Sequence, residues 1–256
     1  GSLMDHIRSG KEWDLDRKRD GLFFLPPSSS NSLGEIHKGD LENFYSNLNY
    51  IHRSRQKYVV ISGVNMICNL NYTDALRHHV QTGADITILY TEWDKPKDDC
   101  HQCTTLELHQ NGRIIDMEVN ATHKKSNKVS MEMYILEKSL LIDIINHSIS
   151  RGGYDFVKDG IIKNIRQLKI YGYPHTGYVA RINSIQSYYK HNMDLLNPEI
   201  WEELFFKPNL IYTKVKDQAP AKYMENAEIK NALVANECIV EGKVENSILF
   251  RGVRIH

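Results

Sequence analysis

A pair of cysteines has the spacing of a metal or redox motif. Cys100 and Cys103 are arranged as Cys-x-x-Cys, which is found in zinc sites and in thiol–disulfide chemistry. A structural zinc site needs four ligands, and the other cysteines, Cys68 and Cys238, are far away in the sequence. We therefore interpret the pair as a chance spacing of reduced thiols in a surface loop, with His109 kept as a distant candidate ligand.

Composition and charge exclude several classes of protein. The chain has 256 residues, of which 41% are hydrophobic and 25% charged, as expected for a globular protein rather than a disordered one. Its 32 Lys and Arg balance 32 Asp and Glu. Nucleic-acid-binding proteins usually present a basic surface, so we expect no nucleic acid as a partner.

We also expect no membrane segment and a cytoplasmic location. The longest apolar stretch, residues 58–70, is interrupted by Ser62, Gly63 and Asn65 and is shorter than the about 20 residues needed to cross a bilayer. The first residues have neither the basic start nor the apolar core of a secretory signal.

The elements that must position any site alternate between strands and helices. Residues 57–63 predict a strand, residues 73–81 a helix capped by Asn71 or Thr73, and residues 85–90 a second strand, which together form a βαβ unit. Asn111-Gly112 predicts a hairpin between strands 104–109 and 113–119. A strand at 130–136 and helices at 138–147, 155–166 and 183–196 complete an open, mostly parallel α/β sheet.

A different pattern begins after residue 206. Short β-branched triplets follow, and four residues recur six apart: Ala232, Cys238, Val244 and Phe250. This spacing is typical of a left-handed parallel β-helix, although ordinary short strands would also account for it. We predict a domain over residues 1–206, then a linker and the first β-helix coils over 207–256. Because such folds need about three repeats, we expect the β-helix to continue beyond His256.

Several motifs, in order, resemble the bacterial glucose-1-phosphate adenylyltransferase (ADP-glucose pyrophosphorylase) family. Asp155-Phe-Val-Lys-Asp159 is similar to Asp-Phe-Gly-Lys-Asp, residues 130–136 to a Ser-Met-Gly-Ile-Tyr strand, and residues 177–195 to the segment containing Trp-Arg-Asp-Val-Gly-Thr. The resemblance begins at Trp13-Asp-Leu-Asp-Arg17 and covers the whole chain. It implies a Rossmann-like nucleotidyltransferase sheet lacking its N-terminal part and phosphate loop, so that the chain would be an internal fragment.

The resemblance also implies where two Mg²⁺-binding aspartates should lie, and both are replaced. The first aligns with Val64, or with Asn65 if the one-residue length difference falls earlier. The second aligns with Arg181, in a degenerate motif that ends at Asn183. A guanidinium only donates hydrogen bonds and repels a cation, and Val has no ligand atom. We therefore predict no catalytic residue, cofactor or metal in this chain.

The substrate motifs of the family differ as well. Asp40 and Glu42 lie where catalytic members carry Gly-Thr-Ala-Asp-Ala near the nucleotide, and Phe-x-Glu-Lys-Pro is absent between Val119 and Ser130. A basic run, Lys124-Lys125, is found there instead; such a run is more often a solvated loop. The candidate phosphate contacts are Arg181, Lys124, Lys125 and Lys158.

A retained scaffold with lost metal ligands resembles the GlgD-type branch, which residues 11–21 match closely. The resemblance implies a regulatory or stabilising subunit in a hetero-oligomer, expected to be a tetramer, whose catalytic partner holds Mg²⁺. One alternative is an active adenylyltransferase in which Asp155, Asp159 or Asp116 holds the metal. Another is a sugar-phosphate or nucleotide sensor in which Arg181 grips the phosphate, although an ion pair explains Arg181 at least as well.

Overall fold

A computed structural model describes residues 2–18, 20–26, 39–93, 103–120, 126–207, 209–213 and 216–256. The chain divides into two compact units. The larger unit comprises Phe24–Met66 and Asn71–Thr176, and the smaller unit comprises Gly1–Phe23, Ile67–Leu70 and Gly177–His256. The division predicted at residues 206 and 207 remains a prediction.

Helices and strands occur in both units, and the helix at residues 2–7 and the elements after residue 176 belong to the smaller unit. The helices are α1 (Ser2–Ile7), α2 (Asp40–Ser46), α3 (Leu48–Arg53), α4 (Tyr72–Thr82), α5 (Lys138–Ile149), α6 (Ile185–Asp194) and α7 (Pro198–Phe206). The strands up to residue 181 are β1 (Tyr58–Ser62), β2 (Met66–Ile67), β3 (Ile86–Glu92), β4 (Thr104–Leu108), β5 (Ile114–Val119), β6 (Lys128–Glu137), β7 (Ile170–Pro174) and β8 (Ala180–Arg181). Among the described residues, no helix has the length and apolar character required to cross a membrane.

A mixed six-stranded sheet forms the centre of the larger unit. Strands β1, β3, β4 and β7 run in one direction, and β5 and β6 run in the other. The predicted βαβ unit is present as two parallel strands, but β6 lies between β1 and β3 and pairs antiparallel with both. Seven of the ten residues of β6 are buried, and a central position gives its backbone groups partners on both edges.

Helix α4 illustrates how local sequence sets an element. Asn71 caps it by accepting a hydrogen bond from the Thr73 N–H at 3.0 Å, and Gly83 ends it with a φ of 60°. Asn is a favoured N-cap, and glycine adopts the left-handed conformation at low cost. The helix, its cap and its end therefore confirm the sequence prediction.

The helix predicted over 155–166 is instead irregular. A π-helical turn, Phe156–Ile161, is followed by a 3₁₀ turn, Ile162–Asn164. Gly160 packs tightly on α5, since a Cβ there would lie 2.8 Å from Ile144 Cγ2. This close approach, together with side-chain bonds to the first turn, favours the wider helix over the regular one.

The core of the larger unit lies between the sheet and helices α2 and α5. Fully buried members of this cluster include Ile86 and Ile88 of β3, Leu136 of β6, Ile145 of α5 and Phe156 of the turn at 156–161. Leu41 of α2 is also fully buried in this cluster. The burial of Leu41 anchors the start of α2 and thereby positions Asp40.

The smaller unit ends in stacked parallel strands. These are β9 (Lys222–Tyr223), β10 (Glu228–Val234), β11 (Ile239–Val240), β12 (Lys243–Leu249) and β13 (Arg254–Ile255). Strand β10 pairs in parallel with β12, and β11 lies between β9 and β13 with both pairings parallel. Cys238 and Val244 are buried as their spacing predicts, but Phe250 is 55% exposed, so the six-residue pattern does not hold throughout.

Candidate functional site

A polar cavity of about 510 Å³ opens on the larger unit where β1, β6 and α2 meet. We call it the central cavity. It is lined by Asp40, Asn43, Phe44, Ile61, Ser62, Gly63, Thr104, Val119, Asn120, Glu132, Tyr134, Asp155, Phe156, Val157 and Lys158. Of the predicted site residues in the described parts of the chain, Asp40, Lys158 and the alternative metal ligand Asp155 line it.

Asp40 is placed beside Asp155 by backbone contacts at the start of α2. The Leu41 N–H donates to the Tyr154 carbonyl at 3.1 Å, and Gly39 approaches that carbonyl so closely that a Cβ would overlap it. Partial burial, followed by the charge of Asp155, raises the pKa of the Asp40 carboxyl. A neighbouring negative charge disfavours ionisation of the Asp40 carboxyl.

The turn beside the cavity is stabilised by two aspartates with separate tasks. Asp155 Oδ1 accepts a hydrogen bond from the Lys158 N–H at 2.8 Å and so caps the π-helical turn. Asp159 Oδ2 accepts from the Tyr154 and Asp155 N–H groups at 2.8 and 3.0 Å, and Oδ1 pairs with Lys163 Nζ at 2.7 Å. Lys163 and these N–H groups lower the pKa of Asp159 to about 2.

The three aspartates proposed as replacement metal ligands are not arranged as a site. Asp155 and Asp159 stabilise the turn, and Asp116 Oδ1 accepts from the Met117 N–H at 2.9 Å. No group of three or more His, Cys, Asp or Glu side chains in the described residues is placed to hold a metal ion.

Glu132 is a cavity residue that the sequence analysis did not select. It lies in the bulge where the β3–β6 register shifts, and its φ is 58°. The motif similar to Ser-Met-Gly-Ile-Tyr places Glu132 at the glycine, which was the signal that could have identified it. A glutamate there retains the left-handed backbone conformation and adds a carboxylate to the cavity.

The candidate metal positions lie in both units. Val64 and Asn65 follow β1 in the larger unit, and Val64 is 96% exposed while Asn65 is half-buried. Arg181, in the smaller unit, is only 5% exposed, so its charge is held inside the protein. Asn183 Oδ1 accepts from the Ser187 hydroxyl at 3.2 Å beside the N-cap of α6, which is a structural task.

The segment that contains Arg181 is anchored through Tyr178. The Tyr178 hydroxyl donates to Asp194 Oδ2 at 2.8 Å and lies 2.9 Å from His191 Nδ1. The Tyr178 N–H donates to Glu203 Oε1 at 2.6 Å. Burial and the Asp194 carboxylate raise the pKa of the phenol, so the hydroxyl remains a donor at neutral pH.

The remaining candidates are placed as follows. Glu42 is half-buried on α2 and does not line the central cavity. Lys124 and Lys125 lie outside the described residues. Cys103 is disulfide-bonded, which corrects the expectation of reduced thiols, whereas Cys68 and Cys238 are free and Cys100 lies outside the described residues.

Sequence comparison agrees with the fold and the motifs. Residues 2–198 match the family model described as "Nucleotidyl transferase", and the chain belongs to this family. It is similar to the protein named "Glycogen biosynthesis protein GlgD" of Bacillus subtilis strain 168, at 38% identity over 255 residues, and to that of Geobacillus stearothermophilus, at 40% over 254 residues. It is also 32% identical over 256 residues to the glucose-1-phosphate adenylyltransferase of Geobacillus stearothermophilus.

These matches span nearly all of the chain but only part of each relative. The three alignments cover 99% of this chain and 63%, 64% and 66% of the relatives, respectively. The chain therefore spans less than two thirds of the length of these proteins. The comparisons confirm the resemblance to the adenylyltransferase family and to its GlgD-type branch.

Proposed function

We propose that this chain is part of a non-catalytic subunit of ADP-glucose pyrophosphorylase that regulates or stabilises the enzyme in glycogen biosynthesis. A catalytic partner chain then converts ATP and glucose 1-phosphate into ADP-glucose and pyrophosphate. Similarity to proteins named GlgD supports this proposal, because those proteins are named for glycogen biosynthesis rather than for adenylyltransfer.

The observation that carries the proposal is the state of the two aligned metal positions. Adenylyltransfer to a sugar phosphate depends on Mg²⁺ to neutralise charge on the phosphates. Val64 presents an exposed isopropyl group, the alternative residue Asn65 an uncharged amide, and Arg181 a buried guanidinium, so neither position offers a carboxylate ligand. Loss of both carboxylates in a chain that retains the family's sheet strands favours a structural or regulatory role over catalysis.

The partner in this proposal is a catalytic glucose-1-phosphate adenylyltransferase chain that holds Mg²⁺. The assembly is a hetero-oligomer, and we expect a tetramer, as the GlgD-type resemblance implies. The stacked parallel strands of the smaller unit are, in this proposal, the first coils of a left-handed β-helix. The cytoplasm is the proposed location, because ATP is produced and used there.

The test is ADP-glucose synthesis by this chain alone, by a catalytic subunit alone and by the two together. We expect no synthesis by this chain, and a changed rate or substrate affinity for the mixture. Size-exclusion chromatography of the mixture should show a complex. Mg²⁺-dependent synthesis by this chain alone, or a mixture that behaves as the catalytic subunit alone, would overturn the proposal.

A second candidate, a sensor of sugar phosphates, is favoured by one feature of the central cavity. Asn43 Oδ1 is buried there without a hydrogen-bond partner among the described residues, and such an acceptor fits a ligand hydroxyl. Lys158, which is exposed at the cavity, would contact the phosphate.

Calorimetric titration with glucose 1-phosphate tests this candidate. Lys158→Gln should weaken binding, whereas Lys169→Gln, which removes an exposed lysine elsewhere on the larger unit, should not. Undiminished binding by Lys158→Gln would remove Lys158 from the site, and undiminished binding by Arg181→Asp would remove the hypothesis that Arg181 grips the phosphate.

A further inference from the structure

A second cavity of about 400 Å³ lies at the turn of the β4–β5 hairpin. We call it the basic cavity. It is lined by His109, Asn111, Arg113, Ile114, Ile115, Ile165 and Arg166. None of these residues lines the central cavity. The turn of the hairpin lines the basic cavity, whereas Thr104, Val119 and Asn120 at its open end line the central cavity.

The charges of the two cavities are opposite. Among the described residues, Asp40, Glu132 and Asp155 line the central cavity with a single lysine, whereas no carboxylate lines the basic cavity. Arg113 and Arg166 carry permanent positive charges. Across the described parts of the chain, neither arginine forms an ion pair with a carboxylate. The net charge of the whole sequence is zero, so this local excess is not a general property of the surface.

Hydrogen bonds within the chain hold the backbone around the basic cavity in place. Asn111 Oδ1 accepts from the Arg113 N–H at 3.0 Å, and the Gly112 N–H donates to the His109 carbonyl at 2.9 Å. The turn is also attached to β7, because the Gly172 N–H donates to the Gly112 carbonyl at 2.9 Å. Arg113 also forms an isolated antiparallel β-bridge with Tyr171, so the backbone that carries the Arg113 side chain is held in place.

The guanidinium groups retain most of their hydrogen-bonding capacity. The contact of Arg113 Nη2 with the Leu168 carbonyl is long, at 3.5 Å, and leaves the other donors of Arg113 available. Arg166 is exposed and lines the cavity. Two such groups and an imidazole match the three oxygens of a phosphate, which arginine binds in a bidentate manner.

We propose that the basic cavity is an anion site that binds a phosphate group, either as inorganic phosphate or as a phosphate monoester with a small organic body. Ile115, which is exposed, and Ile165, which is half-buried, provide apolar surface beside the charged groups for such a body. This site is separate from the central cavity and does not depend on the subunit role proposed above.

Titration calorimetry on the whole chain at low salt, with inorganic phosphate as the probe, tests the site. We expect saturable binding that weakens about tenfold in Arg166→Gln and further in Arg113→Gln/Arg166→Gln, since each variant removes charge-assisted hydrogen bonds. Arg55→Gln is the matched control, because it removes an exposed arginine of the same unit away from this cavity.

Two further measurements locate the site and identify the ligand source. Phosphate should shift an imidazole NMR signal that disappears in His109→Gln. Glucose 1-phosphate should bind more tightly than phosphate if the isoleucines contact its body, and equally if only the phosphate is held. No binding, unchanged binding in Arg166→Gln, or an equal loss in Arg55→Gln would overturn the proposal.

Discussion

The backbone N–H of Gly63 donates to the carbonyl oxygen of Glu132 at 3.1 Å, and the Glu132 carboxylate packs against the same glycine. A Cβ at position 63 would lie 3.1 Å from Glu132 Oε2 and 3.1 Å from Asn65 Oδ1. This contact joins the end of β1 to the bulge of β6 on the wall of the central cavity.

Replacing Glu132 tests the backbone conformation of the bulge. Glu132→Gly should have a higher free energy of unfolding than Glu132→Ala by about 1 kcal/mol, because an L side chain at positive φ costs roughly that much. Both variants remove the carboxylate, so their difference isolates the backbone. Urea denaturation measures it, and equal stabilities would show that the bulge does not impose this conformation.

Asp159 should make stability depend on pH in the acid range. Its folded pKa of about 2 lies below the ordinary value of 3.8, so its contribution is complete above pH 4 and is lost as pH falls towards 2. Asp159→Asn should cost about 2 kcal/mol at pH 7, and this cost should vanish near pH 2. Urea midpoints across this range measure it.

Asp155→Asn is the control for that experiment. Asparagine caps a helix as well as aspartate does, so this variant should change stability little at any pH. A cost at pH 7 equal to that of Asp159→Asn would show that the two carboxylates do not have the separate tasks described above.

His79 should make the free energy of unfolding depend on pH at values closer to neutrality. Its side chain is 2% exposed, and its Nδ1 lies 2.8 Å from Thr87 Oγ1. Burial lowers its pKa below the ordinary 6.5, although Glu137 and Asp85 partly oppose the shift. On acidification, the imidazole of His79 is therefore protonated in the unfolded chain before it is protonated in the folded chain. The free energy of unfolding should fall as pH drops below 6.5.

The measurement is the free energy of unfolding between pH 7 and pH 5. His79→Leu should show a shallower decline over this interval than the unmodified chain, whatever its stability at pH 7. His52→Gln, which removes an exposed histidine, should retain the original slope. A slope unaffected by His79→Leu would exclude the buried imidazole as its source.

The two degenerate metal positions should respond differently to an added carboxylate. Val64→Asp, at an exposed site, should change stability by less than about 0.5 kcal/mol. Arg181→Asp buries a carboxylate in place of a guanidinium and should cost about 3 kcal/mol. Neither single variant should synthesise ADP-glucose, because each restores only one of the two carboxylates; Mg²⁺-dependent synthesis by Val64→Asp would show that one added carboxylate is sufficient.

Local sequence patterns predicted most elements but not their arrangement. The Asn111-Gly112 hairpin, the Asn71 cap and the strand at 130–136 are all present, since each depends on neighbours in the sequence. The insertion of β6 between β1 and β3 could not be predicted in this way. It depends on backbone pairing between segments far apart in the chain, which side-chain periodicity does not encode.

The sequence predicted only part of the candidate site, because some of its residues come together only through the arrangement of the strands. Alignment with motifs selected Asp40 and Lys158, which line the central cavity. Glu132 was missed because a single substitution inside a strand looks like an ordinary exposed residue until the bulge is seen. The basic cavity was missed because Arg113 and Arg166 come together only through the attachment of the hairpin to β7.

The central place of β6 also bears on how the protein is made. Among the described strands, β1 pairs only with β6, and that register joins Tyr58 to Glu137. When β1, α4 and β3 have emerged from the ribosome, the strand that pairs with both β1 and β3 has therefore not yet been synthesised. Until residues 128–137 have been synthesised, the backbone edge of β1 that pairs with β6 stays unpaired. Because pairings between segments far apart in the chain form slowly, we expect this part of the sheet to be completed late.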